Sequence, residues 1–434
     1  MAGRDTHETT LEILCQRCRR AGVAVGVGGA GGALGAGGAA LHLPFAYVVF
    51  VVAGVALLPA YLTGAMFLSN LLHRKLPPRF HPGCRPVSVI VCARNEEKGI
   101  YGTIGSIAQQ EYDGRVTILC VDNGSTDGTM AEMRRAAADF SRPSRVIRLF
   151  GCCEPGKARA LNEGLRHVRD EYFVTVDADT RLETSALAAI VGRIAATGAG
   201  CVAGNLVSAG ARTWVQKMQF WDYFVSIAAI KRYQGSYGAT LVAQGAFSAY
   251  ETAAVRAAGG WTDGAGEDIV LTYRLLAAGR RSLYEPRAVG FTDVPATLGA
   301  LARQRSRWAR GMFEGLAAVK PWSQPDAFAG YFETLNLSIV WLDLAYIFGF
   351  VPGVALALLG MPWLAGWLTL LVLPLMLIGT ASVCRFQRRL PEMEARGSAW
   401  GFLLFVLVFQ VVQSACSLWG YAAALTRRGI DWKR

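Results

Sequence analysis

The chain is short of charge. Only 18% of its 434 residues are charged while 53% are hydrophobic. That balance is too apolar for an ordinary soluble protein, and several long apolar runs account for it. A disulfide framework is also missing. The ten cysteines are scattered, and Cys15 and Cys18 form a lone Cys-x-x-Cys with no second pair, so zinc is not expected. Cys120, Cys152, Cys153 and Cys201 fall in a middle region read as cytosolic, where reduced thiols are the default. There is no nucleic-acid motif and no internal repeat. No charged-then-apolar-then-cleavage pattern starts at Met1, which argues against a cleavable signal. The charge that is present is one-sided. A formal charge of +12 suits an anionic membrane surface or an anionic substrate.

The apolar runs set the layout. Residues 1–72 hold a polar tail, a Gly/Ala-rich run at 21–41 and a clear transmembrane helix at Phe45–Leu72. The Gly/Ala run reads either as a weak span or as a flexible linker. Residues 73–86 form a basic, proline-rich linker placed on the cytoplasmic side. Residues 297–330 have helical spacing with a basic face and are placed at the membrane surface. Within 331–425 the apolar segments are Tyr331–Leu359, Trp363–Val383 and Ala399–Leu425, and a basic tail occupies 426–434. Three spans would put that tail outside, against the charge rule. Either one segment is re-entrant or interfacial, or the tail is an exception.

Residues 87–296 differ. Strand–helix alternation there predicts an α/β domain with a mostly parallel sheet and helices on both faces. Strands are expected at Val87–Cys92, Val116–Val121, Val146–Phe150, over the stretch from Tyr172 that ends at Asp177 and Asp179, and at Cys201–Val207. Open sheets of this kind bind ligands at the carboxyl ends of their strands. At one such end, Asp177 and Asp179 lie two residues apart on an extended segment and can aim at one point. Two carboxylates there can hold a hard divalent cation, and the cation a diphosphate. The plainer reading is an Asp-rich turn.

The neighbouring strand ends carry further candidates. Arg94, Glu96 and Asp122 share that edge, and the two carboxylates can accept hydrogen bonds from a ribose or a base, or simply cap helices. Lys157 opens a helix after Pro-Gly and is either a diphosphate contact or a solvated lysine. Glu267 and Asp268 open another helix, where acidic residues are favoured electrostatically in any case. The chemical reading makes Asp268 a general base for an attacking hydroxyl, with Glu267 in support. Gln304, Arg307 and Trp308 sit at i, i+3 and i+4 on one helix face. A guanidinium suits a leaving diphosphate and an indole suits the apolar face of a sugar, although an interfacial helix with an anchoring Trp would look the same. Trp214, Trp221 and Phe224 read as core or membrane-facing.

These motifs occur in one order: Asn95-Glu96-Glu97, Asp122-Asn-Gly-Ser-Thr-Asp127, Asp177-Ala-Asp179, Gly266-Glu267-Asp268 and Gln304-Arg-Ser-Arg307-Trp308. As a set the sequence resembles the processive family 2 glycosyltransferases, over residues 87–315 and the flanking membrane layout. Within them it looks most like bacterial poly-β-1,6-N-acetylglucosamine synthases, on the stretches Ile230–Gly238, Tyr284–Ala288 and Gln304–Gly311. The resemblance implies a GT-A fold embedded in transmembrane helices, a UDP-sugar donor, Mg2+ or Mn2+, inversion at the anomeric carbon, and a growing polysaccharide as acceptor. It also implies a bacterial inner-membrane location and a small membrane partner subunit.

Carried over by position, the resemblance puts the nucleotide-sugar against Arg94, Glu96, Asp122, Lys157, Asp177, Gln304 and Arg307. The metal goes to Asp179 with Asp177, the base is Asp268, and the acceptor lies at Trp308 and Gly245. Two departures stand out. Asp122-Asn123 replaces a common pair of aspartates, and Gly266 stands where Thr is common. The competing readings are a non-processive transferase adding one sugar to a lipid carrier, and a scaffold with a degenerate transferase domain.

Overall fold

The computed structural model describes residues 57–72, 75–152, 154–360, 372–392 and 397–426. Eight strands form one sheet: β1 (Val87–Ala93), β2 (Val116–Asp122), β3 (Arg145–Gly151), β4 (Tyr172–Asp177), β5 (Thr180–Leu182), β6 (Cys201–Ser208), β7 (Phe247–Glu251) and β8 (Ser282–Thr292). Their spatial order is β3-β2-β1-β4-β7-β6-β8-β5. β1, β2, β3 and β4 pair in parallel; β7 runs against β4 and β6, and β5 runs against β8, which pairs in parallel with β6. Following these senses across the sheet, all strands but β5 and β7 point the same way. The sheet is mostly parallel, as expected, and carries two reversed strands that the sequence did not mark.

The β1 sequence Val-Ser-Val-Ile-Val-Cys-Ala shows how the layers form. Successive side chains alternate faces. Val87, Val89 and Val91 enter one core with the helices Ile100–Ala108, Thr129–Phe140 and Ala186–Thr197. Ile90 enters the opposite core with the helices Lys157–His167 and Glu267–Ala277. The three strands that sequence periodicity did not mark are β5, β7 and β8. β5 has only three residues. β8 contains Pro286, which cannot donate to the ladder. Its pairing with β6 shifts register between Ala203 and Asn205, and the Asn205 side-chain amide donates to the Pro286 carbonyl (2.9 Å).

Among the described residues, two helices are long and apolar enough to cross a membrane, Ala327–Leu358 and Ala399–Leu425. Leu58–Leu72 and Val372–Gln387 are helical and pack together. The rest of the expected spans at 45–72 and 363–383, and the run at 21–41, lie outside the described residues. Ala399–Leu425 runs alongside the helix Leu298–Ala318 in the same direction. Phe409 joins Leu301 in one apolar cluster, the Ser306 hydroxyl donates to the Cys416 carbonyl (2.9 Å), and Phe313 meets Tyr421. Further in, the Asp343 carboxylate accepts hydrogen bonds from Ser414 (2.7 Å) and Tyr421 (2.8 Å). All the described cysteines are free thiols.

Candidate functional site

The parallel strand ends converge at Asp177. β1 and β4 pair up to Cys92 and Asp177, and the Asp177 amide donates to the Ala246 carbonyl (3.2 Å). The segment before β7 is thereby drawn over the carboxylate. Lys157 enters from the helix beneath. Its ammonium lies 3.1 Å from Asp177 Oδ1 and 3.3 Å from Glu267 Oε1. One cation therefore joins a strand end to a helix start 90 residues away. Burial pulls the Lys157 pKa down, but Asp177, Glu267 and Asp268 together outweigh it and hold it above the ordinary lysine value. Glu267 goes the other way: burial pushes its carboxyl up to about 7, against the pull of Lys157. Lys157 is thus shared between the Asp177 carboxylate and a buried carboxyl that resists ionisation.

Gly245 is part of this cluster. Its amide donates to Asp268 Oδ2 (3.3 Å), and the Ile269 amide donates to Oδ1 (2.9 Å). A Cβ at Gly245 would stand 3.1 Å from Lys157 Nζ, so backbone can approach the ammonium only without a side chain. A donor to each oxygen orients the Asp268 carboxylate.

Asp179 lies in the turn between β4 and β5. The hydroxyls of Thr180 (3.3 Å) and Thr292 (3.4 Å) donate to its Oδ1. The Glu96 carboxylate and the Asp179 backbone both border Gly99. Arg94 and Glu96 follow β1 in a loop pinned by Asn95, the one non-glycine residue with a left-handed backbone among those described (φ 57°). The Asn95 side chain accepts from the Thr126 amide (2.8 Å), and the Glu96 amide donates to Thr129 Oγ1 (2.8 Å). Asp122 ends β2 and accepts from the Ser125 amide (3.3 Å). Asn123, the first departure from the family pattern, is buried and accepts from the Gly156 amide (2.7 Å). It fixes the turn that launches Lys157.

Gln304, Arg307 and Trp308 lie on the helix Leu298–Ala318. Trp308 packs at the edge of the sheet core and 6.4 Å from the Tyr223 ring. Tyr223 feels Asp179 and Gln304; burial pushes its phenol up to about 12. The helix face is therefore turned towards the Asp179 end of the site. Gln304 Oε1 is buried with no hydrogen-bond partner, an acceptor left open.

Spacing alone missed the residue that seats the indole. The Arg305 guanidinium lies 4.3 Å from the Trp308 ring centroid and pairs with buried Asp222 (2.7 Å). Arg307 remains half-buried on the same helix. The only sequence signal for Arg305 was an i, i+3 offset to the tryptophan, and Asp222 lies too far along the chain for any local pattern.

The second departure, Gly266, has a physical account. A Cβ there would sit 2.4 Å from the Gly311 Cα, and a Cβ on Gly311 would sit 2.6 Å from the Gly266 Cα. The two helices, one opening with Glu267-Asp268 and the other bearing Gln304–Trp308, touch backbone to backbone. Glu314 Oε2 accepts from the Ala265 (2.7 Å) and Gly266 (3.1 Å) amides and secures the contact.

A divalent cation fits this donor set in a specific way. Among the described residues no group of three or more His, Cys, Asp or Glu side chains converges on one point. Asp179, with Asp177 beside it, can supply one or two oxygens, and a hard cation that keeps waters and substrate oxygens needs no more.

Known proteins resemble the chain over the region that carries these residues. Residues 82–311 match the model of the family described as glycosyltransferase like family 2. A poly-beta-1,6-N-acetyl-D-glucosamine synthase of Staphylococcus epidermidis is 32% identical over 238 residues, 54% of this chain and 57% of that protein. One of Staphylococcus aureus (strain COL) is 30% identical over 232 residues, 53% of this chain and 55% of that protein. The matches thus span little more than half the length of these relatives. A mannosyltransferase from Pyrobaculum calidifontis, solved in complex with GDP-Man and Mn2+, has a similar fold. Its TM-score is 0.60 at 21% identity, over 88% of this chain and 99% of that one.

Proposed function

The chain belongs to glycosyltransferase-like family 2, and from that premise we propose that it is a processive, inverting synthase at the bacterial inner membrane. In this reading it polymerises N-acetylglucosamine from UDP-N-acetylglucosamine into a β-1,6-linked chain. One observation carries the reading: Lys157 ties Asp177 to Glu267-Asp268, directly against the helix of Gln304–Trp308. Donor residues and acceptor residues thereby share one rigid unit.

Each residue has a task in this mechanism. Asp122, Glu96 and Arg94 line the strand-end edge where a uridine and ribose would rest. Lys157 offers positive charge to a diphosphate, and Arg307 adds a second cation from the facing helix. Asp177 and Asp179 would hold Mg2+ or Mn2+, which when bound neutralises charge on the diphosphate leaving group. Asp268, oriented by the Gly245 and Ile269 amides, takes the proton from the attacking sugar hydroxyl as the glycosidic bond forms. Glu267 is the less available carboxyl, because it is buried and Lys157 stands 3.3 Å from its Oε1. Trp308 presents an apolar ring to the acceptor sugar.

Membranes containing the protein, given labelled UDP-N-acetylglucosamine, are expected to yield a long polymer susceptible to a β-1,6-N-acetylglucosaminidase. A single-sugar lipid product on thin-layer plates would replace this reading with the lipid-carrier transferase. A polymer made only from another UDP-sugar would move the donor assignment but keep processivity. A small membrane subunit is a further expected partner.

The last apolar helix bears on topology. Because Ala399–Leu425 lies along Leu298–Ala318, which has a basic face, we read it as resting at the membrane surface. The basic tail then stays inside, as its charge requires. A C-terminal fusion to green fluorescent protein is expected to fluoresce and one to alkaline phosphatase to be inactive; the opposite pair of results rejects the placement.

A further inference from the structure

We propose that the protein binds a phosphate group in a second pocket, at the opposite edge of the sheet from Asp179. β8 runs from Ser282 to Thr292, and Thr292 contacts Asp179. The start of β8 therefore faces away from the donor site. There a cavity of about 500 Å3 is lined by Lys75, Arg193, Arg232, Arg281, Tyr284 and Phe386, among others. No acidic side chain is among its described lining residues. Four cations around one cavity repel one another unless an anion joins them.

Two buried donors lack acceptors. The Tyr284 side chain is 5% exposed, and its hydroxyl has no hydrogen-bond partner. Arg193 Nε is likewise buried without a hydrogen bond; the closest carboxylate, Glu285, stands 4.0 Å away. Glu285 is shared with Arg287 (3.9 Å), so one carboxylate faces two guanidinium groups. The wall behind the four cations is thus short of acceptors, and an anion in the cavity answers their charge. The site is also preformed. Arg232 lies 3.5 Å over the Phe386 ring and donates to the Asn70 carbonyl (3.3 Å). A phosphate matches this donor set: oxygen acceptors in several directions and a charge that guanidinium forks recognise.

The phosphate can belong to a lipid headgroup or arrive free. Leu58–Leu72 ends shortly before Lys75, and Phe386 sits in the last turn of Val372–Gln387, so two apolar helices finish at the cavity. The sources separate in a two-arm experiment on the full chain. In one arm, nanodiscs of mixed phosphatidylcholine and phosphatidylglycerol are used, and retained lipid is read by native mass spectrometry. In the other, inorganic phosphate is titrated calorimetrically in phosphatidylcholine nanodiscs.

Wild-type protein is expected to bind in at least one arm, and that arm names the source. The Lys75→Gln/Arg281→Gln double variant is expected to bind about a hundredfold more weakly, roughly tenfold per lost charge-assisted contact. UDP affinity at the donor site should not change. If the double variant has a lowered thermal midpoint, Arg281→Lys decides instead, and loss of the guanidinium fork should weaken binding several-fold. Binding in neither arm, or a variant that binds as wild type, overturns the proposal.

Discussion

Asp268→Asn is expected to lower polymer synthesis by about three orders of magnitude, within the range of general acid–base contributions, while UDP binding survives. The substitution keeps the size of the side chain and leaves an oxygen for either amide donor, so the local fold should hold. It removes the lone pair and charge that accept the proton of the attacking hydroxyl. Glu267 cannot take over. Its carboxyl is buried and held 3.3 Å from Lys157. A calorimetric UDP titration should match wild type within a few-fold, because the proposed donor contacts lie on Lys157 and the strand ends. Synthesis within tenfold of wild type would remove Asp268 from the role of base.

The strand ends were legible in the sequence because β-branched runs stop abruptly at polar residues. Val87–Ala93, Val116–Asp122 and Tyr172–Asp177 each do so, and their acidic ends needed only the rule that parallel sheets bind ligands there. The reversed strand β7 was not legible. Its Phe-Ser-Ala-Tyr-Glu is short, and its direction is decided by pairing with β4, which no local pattern records. The clustering of the site was hidden for the same reason. Gly245 was placed with the acceptor by resemblance alone, and no local pattern showed that its amide donates to Asp268. The Lys157–Glu267 contact joins residues far apart in sequence. Arg307 was readable as a cation near Trp308, but the structure gives the stacking contact to Arg305, whose buried pairing with Asp222 sets its position.

Gly311→Ala is expected to lower polymer synthesis by about a hundredfold, with UDP affinity within threefold of wild type. The added methyl would stand 2.6 Å from the Gly266 Cα, 3.0 Å from its nitrogen and 3.1 Å from the Ala265 carbonyl. All three are backbone atoms, so no side chain can rotate away. The helix bearing Gln304 and Trp308 must instead shift outward, and a displacement of about 1 Å costs on the order of 10²-fold when it separates reacting groups. Overpacking of this kind also costs about 1–3 kcal/mol in stability. Gly299→Ala provides the control on the same helix: its methyl would meet only Arg303 Nη1 at 3.8 Å, and activity should not change. Gly266→Thr tests the same contact from the other side. Thr is the common residue of the resembling enzymes at this position, yet here its Cβ would lie 2.4 Å from the Gly311 Cα. The residue that serves relatives should therefore impair this chain, unless Gly311 moves with it. Full synthesis by Gly311→Ala would show that activity does not need the close contact of the two helices.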